Sequence, residues 1–246
     1  MSDPINASLV ADRSTAVTNA RGVKRVADVL ISARNEESRI GTVISAALTC
    51  PDVGKVIAVV NGACDSTAAV ARSYGVETIE LLNADKGLAV LAALKLVEAE
   101  TVCLLDSDLE SVAPHHISSL IRPVLADELT MTCGILQSRR GLLTLRYSRL
   151  WLLSLTGQRA CRASLLRELD PSRARGYKLE VALNSVAFRR RIAVKRVGLE
   201  GVQHVQRERK EFPTPVPVKW ATILYCYIQY GYLLVSELPR LAVRGR

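Results

Sequence analysis

Two aspartates separated by one residue are the clearest chemical signal in the sequence. Asp106 and Asp108 come directly after the apolar run Thr101 to Leu105, whose composition is typical of a buried strand. We expect a turn after this strand to bring both carboxylates near one cation. Carboxylate oxygens suit Mg²⁺ or Mn²⁺, and such a cation can bridge diphosphate oxygens as a Lewis acid. The motif predicts a metal site that binds a diphosphate.

Strands alternate with helices before and after these aspartates. The predicted strands are Val26 to Ser32, Val56 to Val60, Glu77 to Leu82 and Thr101 to Leu105. The predicted helices are Ser38 to Leu48, one capped at Asp65 to Thr67 and ending near Tyr74, Leu88 to Glu98, and one that begins at Pro114. This alternation predicts an α/β fold with a parallel sheet and right-handed crossovers.

Polar clusters follow three of the predicted strands. They are Arg34 to Glu37, Asn61 to Asp65 and Asp106 to Asp108. In parallel sheets, ligands bind beyond the carboxyl ends of the strands. The three clusters are therefore expected to converge on one rim.

The second half of the chain is less regular. Strands are expected at Leu129 to Leu136, Ile192 to Val197 and Gly201 to Val205, and helices at Leu142 to Leu155 and Tyr177 to Phe188; Thr156 to Arg159 is expected to break the first of these helices. We expect three segments: an N-terminal arm at 1–22, an α/β domain at 23–212, and a proline-rich linker with an apolar helix at 213–246. Within the domain, 23–125 is the expected nucleotide-binding half and 126–212 the acceptor half.

Charge and cysteine usage restrict the partners and the compartment. The formal charge of +9 favours anionic partners such as nucleotides, phosphorylated acceptors or anionic lipid. A nucleic-acid partner is not expected, because the basic stretch from Arg139 to Lys210 lacks interleaved aromatic residues for base stacking. The six cysteines form no CxxC pair or zinc pattern, so a reducing cytoplasm is expected.

The ends of the chain also bear on localisation. The N-terminus lacks the apolar core of a signal peptide, and no apolar run reaches the length of about 20 residues needed to span a bilayer. The C-terminal helix is rich in tyrosine and aliphatic residues and is flanked by basic residues. It is expected to pack on the core or form a homodimer contact, with peripheral binding to the cytoplasmic membrane face as the alternative.

Four stretches together resemble the family-2-type glycosyltransferases of the GT-A fold. They are Val29 to Glu37, Val59 to Thr67, Asp85 to Gly87 and Leu104 to Leu109. The resemblance covers roughly Val26 to Pro123. It implies a GT-A, Rossmann-like fold with a mixed, mainly parallel sheet flanked by helices, and a hexosyltransferase activity that depends on Mg²⁺ or Mn²⁺.

The same resemblance implies roles for individual residues. Nucleotide-sugar contacts are implied for Ala33, Arg34, Asn35, Glu36, Asn61, Lys86, Asp106 and Ser107, and metal contacts for Asp106 and Asp108. Asp108 would also have a catalytic role through the metal, and Lys86 would lie near the diphosphate. Asn61 stands where the family usually has an aspartate that reads the base. An amide offers both a donor and an acceptor, so the base stays open between UDP- and GDP-linked donors.

Part of the second half is similar to glucosyl-3-phosphoglycerate synthases and, more loosely, to polyprenyl-phosphate sugar transferases. The matching stretches are Thr156 to Ala160, Gly176 to Val181 and Gly201 to His204. The similarity implies acceptor binding by Gly157, Gln158, Arg159 and Tyr177, a catalytic or acceptor-binding role for Glu180, and metal ligation by His204. The implied acceptor is a small phosphorylated molecule, a lipid phosphate or a glycan.

Each of these roles has a structural alternative. His204 could be a hydrogen-bonded core histidine, and Glu180 a buried carboxylate paired with an arginine. Arg139, Arg140 and Arg159 could clamp an acceptor phosphate or form a solvated basic face. His115 and His116 begin a helix and are expected at the surface. If transfer inverts the anomeric centre, Glu180 is the candidate base; if it retains, no such base is required.

Other functions fit the sequence less well. A sugar-phosphate nucleotidyltransferase would carry a glycine-rich, basic loop after its first strand, where this chain has Ala33 to Glu37. A Rossmann dehydrogenase would carry GxGxxG at that point. A catalytically inactive paralogue that still binds nucleotide-sugars remains open, because Asn61 departs from the family pattern.

Overall fold

The computed structural model describes residues 26–82, 85–127, 130–137, 156–175 and 178–204, together with Leu224 and Ile228 in a helix. The predictions for the N-terminal arm, the apolar helix at 142–155 and the proline-rich linker lie outside these residues. So do Arg139, Arg140 and Tyr177, and nearly all of the C-terminal helix. Among the described residues, no helix combines the length and apolar composition needed to cross a membrane.

Seven of the described strands form one mixed sheet. In chain order the strands are β1 (Ala27–Ala33), β2 (Val53–Asn61), β3 (Glu77–Leu81), β4 (Thr101–Asp106), β6 (Thr130–Gln137), β7 (Arg159–Arg162) and β8 (Ala193–Glu200), and a separate ribbon pairs β5 (Leu109–Glu110) with β9 (Gln203–His204). The order across the large sheet is β3-β2-β1-β4-β7-β6-β8. Of these seven strands β7 alone runs antiparallel to its neighbours.

Helices cover both faces of this sheet. They are α1 (Ile40–Leu48), α2 (Thr67–Ser73), α3 (Lys86–Ala93) followed by a 3₁₀ turn (Leu94–Leu96), α4 (Pro114–Ala126), α5 (Ala163–Arg167) and α6 (Leu179–Arg189). Alternate residues of β1 face opposite layers: Val29 and Ile31 pack with α1 and α4, while Leu30 packs with α3, α5 and α6. Burial on both faces explains why β1 is a continuous apolar run instead of an alternating one.

The local sequence explains why α4, which packs beside β4, is a helix. Pro114 stands at the first turn of α4, where its fixed φ and missing N–H cost nothing. Ile117, Leu120, Ile121 and Val124 then recur at helical spacing and are all buried. This helix supports β4, β6 and β7 from one side.

The structure confirms the predicted fold class and corrects two details. The strand β7 was not predicted, because four residues directly after a glycine-containing turn are too short to give a periodic signal. The surface position predicted for His116 is wrong. His116 is buried: its Nδ1 accepts a hydrogen bond from Ala113 N at 3.1 Å, and its Nε2 lies 3.0 Å from Glu200 O. His115 is exposed, as expected.

Candidate active site

The site lies where the strand order reverses. The chain runs outward from β1 through β2 to β3 and then returns to β4, so β1 has β2 on one side and β4 on the other. Helices on either side of such a point leave a crevice at the carboxyl ends of the strands. The ends of β1 and β4 are joined there, because Ser107 N donates to Ser32 O at 3.1 Å.

Asp106, Asp108 and His204 meet at this crevice. Asp106 is the last residue of β4, and Ser107 and Asp108 form the turn that leads into β5. The short ribbon places His204 opposite Leu109, and His204 Nδ1 lies 3.0 Å from Asp108 Oδ1. One ligand atom from each of the three residues lies within 4.8 Å of the others. The tertiary fold therefore assembles the predicted set from positions almost 100 residues apart in sequence.

The donor set fits a divalent metal ion. Two carboxylates and an imidazole are ligands that Mn²⁺ accepts, and Mg²⁺ prefers the carboxylates. The His204 side chain is 48% exposed and that of Asp108 is 18% exposed, so a cation can reach the cluster from solvent. This exposure also rules out the alternative in which His204 is a core histidine. Asp106 and Asp108, with His204, are the described residues placed to hold one ion.

Lys86 connects Asp106 to Glu180 on α6. It begins α3, whose N-cap residue Asp85 accepts from Leu88 N at 3.0 Å. Lys86 Nζ lies 2.7 Å from Asp106 Oδ1 and 2.9 Å from Glu180 Oε1. Burial by itself would lower the pKa of Lys86, but the negative charges of the two carboxylates outweigh it and raise this pKa above its ordinary value.

Asp106 is held in its ionised form. Burial would raise its pKa, and so would the charge of Asp108. The charge and hydrogen bond of Lys86, together with the charge of His204, outweigh both and lower the pKa of Asp106 below its ordinary value. The carboxylate also accepts from Ser32 Oγ at 3.2 Å and from Gln158 Nε2 at 2.9 Å. Asp106 is therefore a charged acceptor with three donors around it.

Glu180 lies on the far side of Lys86. It belongs to the first turn of α6 and is buried. The structural alternative predicted an arginine partner, whereas the partner in the structure is Lys86. Glu180 thus faces the same crevice as the aspartates, and a small cavity between α3, α6 and the ends of β1 and β4 is lined by Ser32, Lys86, Gly157, Arg159 and Glu180, among others.

The turn at 156–159 packs closely against Asp106. Gly157 approaches so closely that a methyl group added to it would lie 2.3 Å from Asp106 Oδ2. Gln158 and Arg159 are fully buried, and the Arg159 guanidinium donates to Thr156 O at 2.7 Å and to Asn184 Oδ1. These contacts are with the protein, so the acceptor-binding roles of the three residues stay predictions.

The loops after β1 and β2 form a second, connected part of the rim. Asn35, at a positive φ of 55°, accepts from Cys64 N at 2.9 Å, and Glu36 N donates to Thr67 Oγ1 at 2.8 Å. Ala33 and Glu36 are buried, Arg34 is exposed, and Asn61 is buried at the end of β2. The predicted convergence of these polar clusters is confirmed, while their contact with a nucleotide stays a prediction.

Three residues at the site were not singled out by the sequence as site residues. Ser32 bonds Asp106, Thr156 bonds Gln158, and Asn184 bonds Arg159. Ser32 and Thr156 stand inside matched stretches, so their position was a usable signal. Asn184 had no such signal, because its role arises only from the packing of α6 against β7.

Comparison with known proteins gives one family match. A model of the glycosyl transferase family 2 matches residues 28–198, well over half of the chain. This range includes both aspartates, Lys86 and Glu180, and it ends before His204. A search of curated proteins finds no match.

Several solved structures share the fold. Glucosyl-3-phosphoglycerate synthase from Mycobacterium tuberculosis, in complex with Mn²⁺, UDP and glucosyl-3-phosphoglycerate, is 23% identical, covers 85% of this chain and 80% of its own, and superposes with a TM-score of 0.70. A structure described as a mycobacterial protein is 24% identical, with 83% and 73% of the two chains covered and a TM-score of 0.68. These similarities concern the fold. Together with the match over 28–198 they establish that the chain belongs to glycosyl transferase family 2 and is a glycosyltransferase of the GT-A fold.

Proposed function

We propose that the protein is a metal-dependent glycosyltransferase that moves a sugar from a UDP- or GDP-linked donor to a small phosphorylated, lipid-phosphate or glycan acceptor. The observation that carries the proposal is the cluster of Asp106, Asp108 and His204 at the reversal point of the sheet. It is a preformed site for one divalent cation at the place where the fold binds ligands.

Known complexes of the structural neighbour support the donor and the cofactor. Glucosyl-3-phosphoglycerate synthase from Mycobacterium tuberculosis was solved with Mn²⁺, UDP-glucose and phosphoglyceric acid. The two chains share the fold at 23% identity. We therefore propose Mn²⁺ or Mg²⁺ as the cofactor and place UDP-linked sugars first among the donors to be tested.

On the donor side, Asp106, Asp108 and His204 would hold the ion. When bound, the ion supplies Lewis-acid stabilisation of the negative charge that develops on the departing diphosphate. Lys86 adds a second positive charge at the same edge, and we propose that it contributes to this stabilisation. Ala33 to Glu36, Asn61 and Ser107 are proposed to line the nucleotide pocket, because they occupy the rim beside these residues.

On the acceptor side, we propose Gly157, Gln158, Arg159 and Tyr177 as contributors and Glu180 as the group nearest the reaction. If transfer inverts the anomeric centre, Glu180 would accept the acceptor proton. The position of Glu180 supports this role, because the carboxylate is buried at the crevice with Oε1 2.9 Å from Lys86 Nζ. If transfer retains the configuration, Glu180 would instead position Lys86.

The site draws on both proposed halves of the domain. Asp106, Asp108 and Lys86 belong to 23–125, whereas Glu180 and His204 belong to 126–212. This division supports the proposal that 23–212 acts as one catalytic unit. A peripheral membrane contact or a homodimer through 213–246 remains a separate proposal, to be tested by removing that segment.

The decisive experiment replaces Asp108 and measures metal-dependent release of nucleoside diphosphate from a panel of UDP- and GDP-linked sugars with candidate acceptors. We expect Asp108→Ala to lower turnover by roughly 100-fold or more, since a metal contributes several kcal/mol and each 1.4 kcal/mol is a factor of ten. Asp170→Ala is the matched control, because Asp170 is an exposed aspartate that pairs with Ser172 in another part of the chain. Unchanged turnover in Asp108→Ala would contradict the proposal.

A further inference from the structure

The side chain of Gln158 connects the candidate metal site to the turn at 156–159. Gln158 is fully buried, although glutamine is usually found at the surface. Its Nε2 donates to Asp106 Oδ2 at 2.9 Å, and its Oε1 accepts from Thr156 Oγ1 at 2.6 Å. Thr156 Oγ1 in turn accepts from Gln158 N at 3.2 Å. The amide is thus fixed at both ends and leaves no alternative orientation with the same bonds.

The chemistry of Asp106 determines which end of the amide faces it. An ionised carboxylate can only accept hydrogen bonds, so the neighbouring atom must be the NH₂ group. The ammonium of Lys86, 2.7 Å from Oδ1, pairs with that carboxylate. The hydroxyl of Thr156 can donate, so it completes the chain of bonds by pairing with Oε1. Thr156 therefore donates to Gln158, and Gln158 donates to Asp106, in one chain of hydrogen bonds.

A count of lone pairs shows which acceptor positions of Asp106 remain for a ligand. A carboxylate has about four acceptor positions, two on each oxygen. Oδ1 of Asp106 uses both of its positions, since it accepts from Lys86 Nζ at 2.7 Å and from Ser32 Oγ at 3.2 Å. Among the described residues Oδ2 accepts from Gln158 alone, which leaves one lone pair on the oxygen that Gly157 also approaches.

We infer that Gln158 is a positioning residue that aims the remaining Oδ2 lone pair of Asp106 at the bound cation, with Thr156 holding the amide in place. The inference deepens the proposed function and rests on it. This role of Gln158 acts through Asp106 and is separate from the contact with the acceptor proposed above.

The amide of Gln158 carries no charge, which distinguishes it from a cationic donor at this position. A lysine or arginine at 158 would also donate to Asp106, but it would cancel negative charge that attracts the cation. An amide fixes the carboxylate without changing the net charge of the cluster. Groups that orient metal ligands in this way typically contribute 10- to 100-fold to metal affinity.

The test compares two binding constants in Gln158→Met, which preserves the length of the side chain but removes both hydrogen bonds. One is the affinity for Mn²⁺ in the presence of UDP, measured from the electron paramagnetic resonance signal of free Mn²⁺. The other is the affinity for UDP in EDTA, measured by calorimetry. We expect Mn²⁺ affinity to fall about tenfold or more and metal-free UDP affinity to change less than twofold. General damage to the site would lower both.

Two further variants make the result specific. Thr156→Val removes the hydroxyl that holds the amide, and we expect a smaller loss of Mn²⁺ affinity in the same direction. It also carries the test if Gln158→Met fails to fold. Ser172→Ala is the control, because Ser172 Oγ also donates to a carboxylate, Asp170 Oδ1 at 2.7 Å, but on an exposed surface outside the site. Its Mn²⁺ affinity should equal that of the wild type.

The outcomes separate the inference from the function on which it rests. Wild-type protein that does not bind Mn²⁺ overturns the proposed function, and the inference with it. If the wild type binds Mn²⁺ and the Gln158→Met and Thr156→Val variants bind it with unchanged affinity, the inference is overturned and the proposed function is not. Equal losses of Mn²⁺ and metal-free UDP affinity also overturn it.

Discussion

At the scale of single residues, the site carries more negative than positive charge. Asp106, Asp108 and Glu180 contribute three carboxylates within a short distance of one ammonium, that of Lys86. The buried guanidinium of Arg159 lines the same cavity, so the three carboxylates exceed the two cationic side chains by one negative charge. The charge excess explains why the cluster would attract a cation before any diphosphate arrives.

Gly157 gives a residue-scale prediction. In Gly157→Ala, the added methyl group would lie 2.3 Å from Asp106 Oδ2, so the carboxylate or the turn must move. We expect metal-dependent transfer to fall about tenfold or more, because outer groups that displace a metal ligand typically cost 10- to 100-fold. Steady-state kinetics at varied Mn²⁺ concentration would measure the loss.

The control for this glycine is Gly75, which lies outside the site. An alanine side chain at Gly75 would meet no atom within 4 Å, although its φ of 72° makes the backbone strained. Gly75→Ala should therefore lower stability and leave the dependence on Mn²⁺ unchanged. If both variants showed the same Mn²⁺ dependence as the wild type, the close approach of Gly157 would have no catalytic importance.

At the scale of secondary-structure elements, the link between α4 and β8 supports His204. His116 begins this link at the start of α4 and reaches Glu200 O at the end of β8. Gly201, with a φ of 76°, then turns the chain into β9, which pairs with β5 beside Asp108. Because Nδ1 of His116 accepts from Ala113 N, Nε2 carries the proton and donates to Glu200 O.

This link predicts a specific pH dependence of stability. Burial, followed by the neighbouring His115, lowers the pKa of His116 below its ordinary value of 6.5. A group with a depressed native-state pKa stabilises the fold above its unfolded-state pKa, and this contribution is lost as the pH falls through the native-state pKa. The acid-induced loss of stability should therefore include a contribution from His116 below about pH 6.5.

The variant His116→Asn tests this contribution. We expect it to lower the free energy of unfolding by about 0.5–1.5 kcal/mol at neutral pH, since the half-buried hydrogen bond to Glu200 O is lost. We also expect its stability to depend less on pH below 6.5 than that of the wild type. Urea unfolding from pH 5 to pH 8 measures both effects. His115→Asn, at an exposed position, should keep most of the wild-type slope; identical slopes in all three proteins would contradict the assignment.

At the scale of the whole molecule, the site is a product of the sheet order. The reversal between β1 and β4 opens the crevice, β7 brings the 156–159 turn against β4, and the β5–β9 ribbon closes the far side with His204. Ligands that join these parts should stabilise the native fold as a unit, because they bind only when all of them are assembled.

The corresponding prediction concerns thermal stability. At a concentration one hundred times its dissociation constant, a ligand adds about 2.7 kcal/mol, which corresponds to a rise in Tm of roughly 5–11 °C for a chain of this size. We expect UDP with Mn²⁺ to give such a shift and EDTA to remove most of it. Asp108→Ala should retain at most the shift given by UDP alone. A shift in that variant equal to the wild-type shift would argue against metal ligation by Asp108.

Much of the nucleotide-side fold could be predicted from local patterns. The apolar runs of β1, β2 and β4 and the helical spacing of α1 and α4 are contiguous in sequence, and each element has its own start and stop residues. Asp106, Asp108 and Asn61 could be placed on one rim because strand ends of a parallel sheet share one edge. The resemblance to family-2 glycosyltransferases added Lys86, and the similarity to glucosyl-3-phosphoglycerate synthases added Glu180 and His204.

The sequence by itself determined the order of strands and helices from β1 to β4, the excess of charge and the identity of the groups that could bind a metal. Only the tertiary structure decided that Lys86 pairs with Glu180, that Gln158 turns inward to Asp106 and that His116 is buried. These contacts join residues distant in sequence, and their partners depend on how α6, β7 and β8 pack against β4. Local periodicity carries no information on such pairings, since a buried and an exposed polar side chain can stand in the same local pattern.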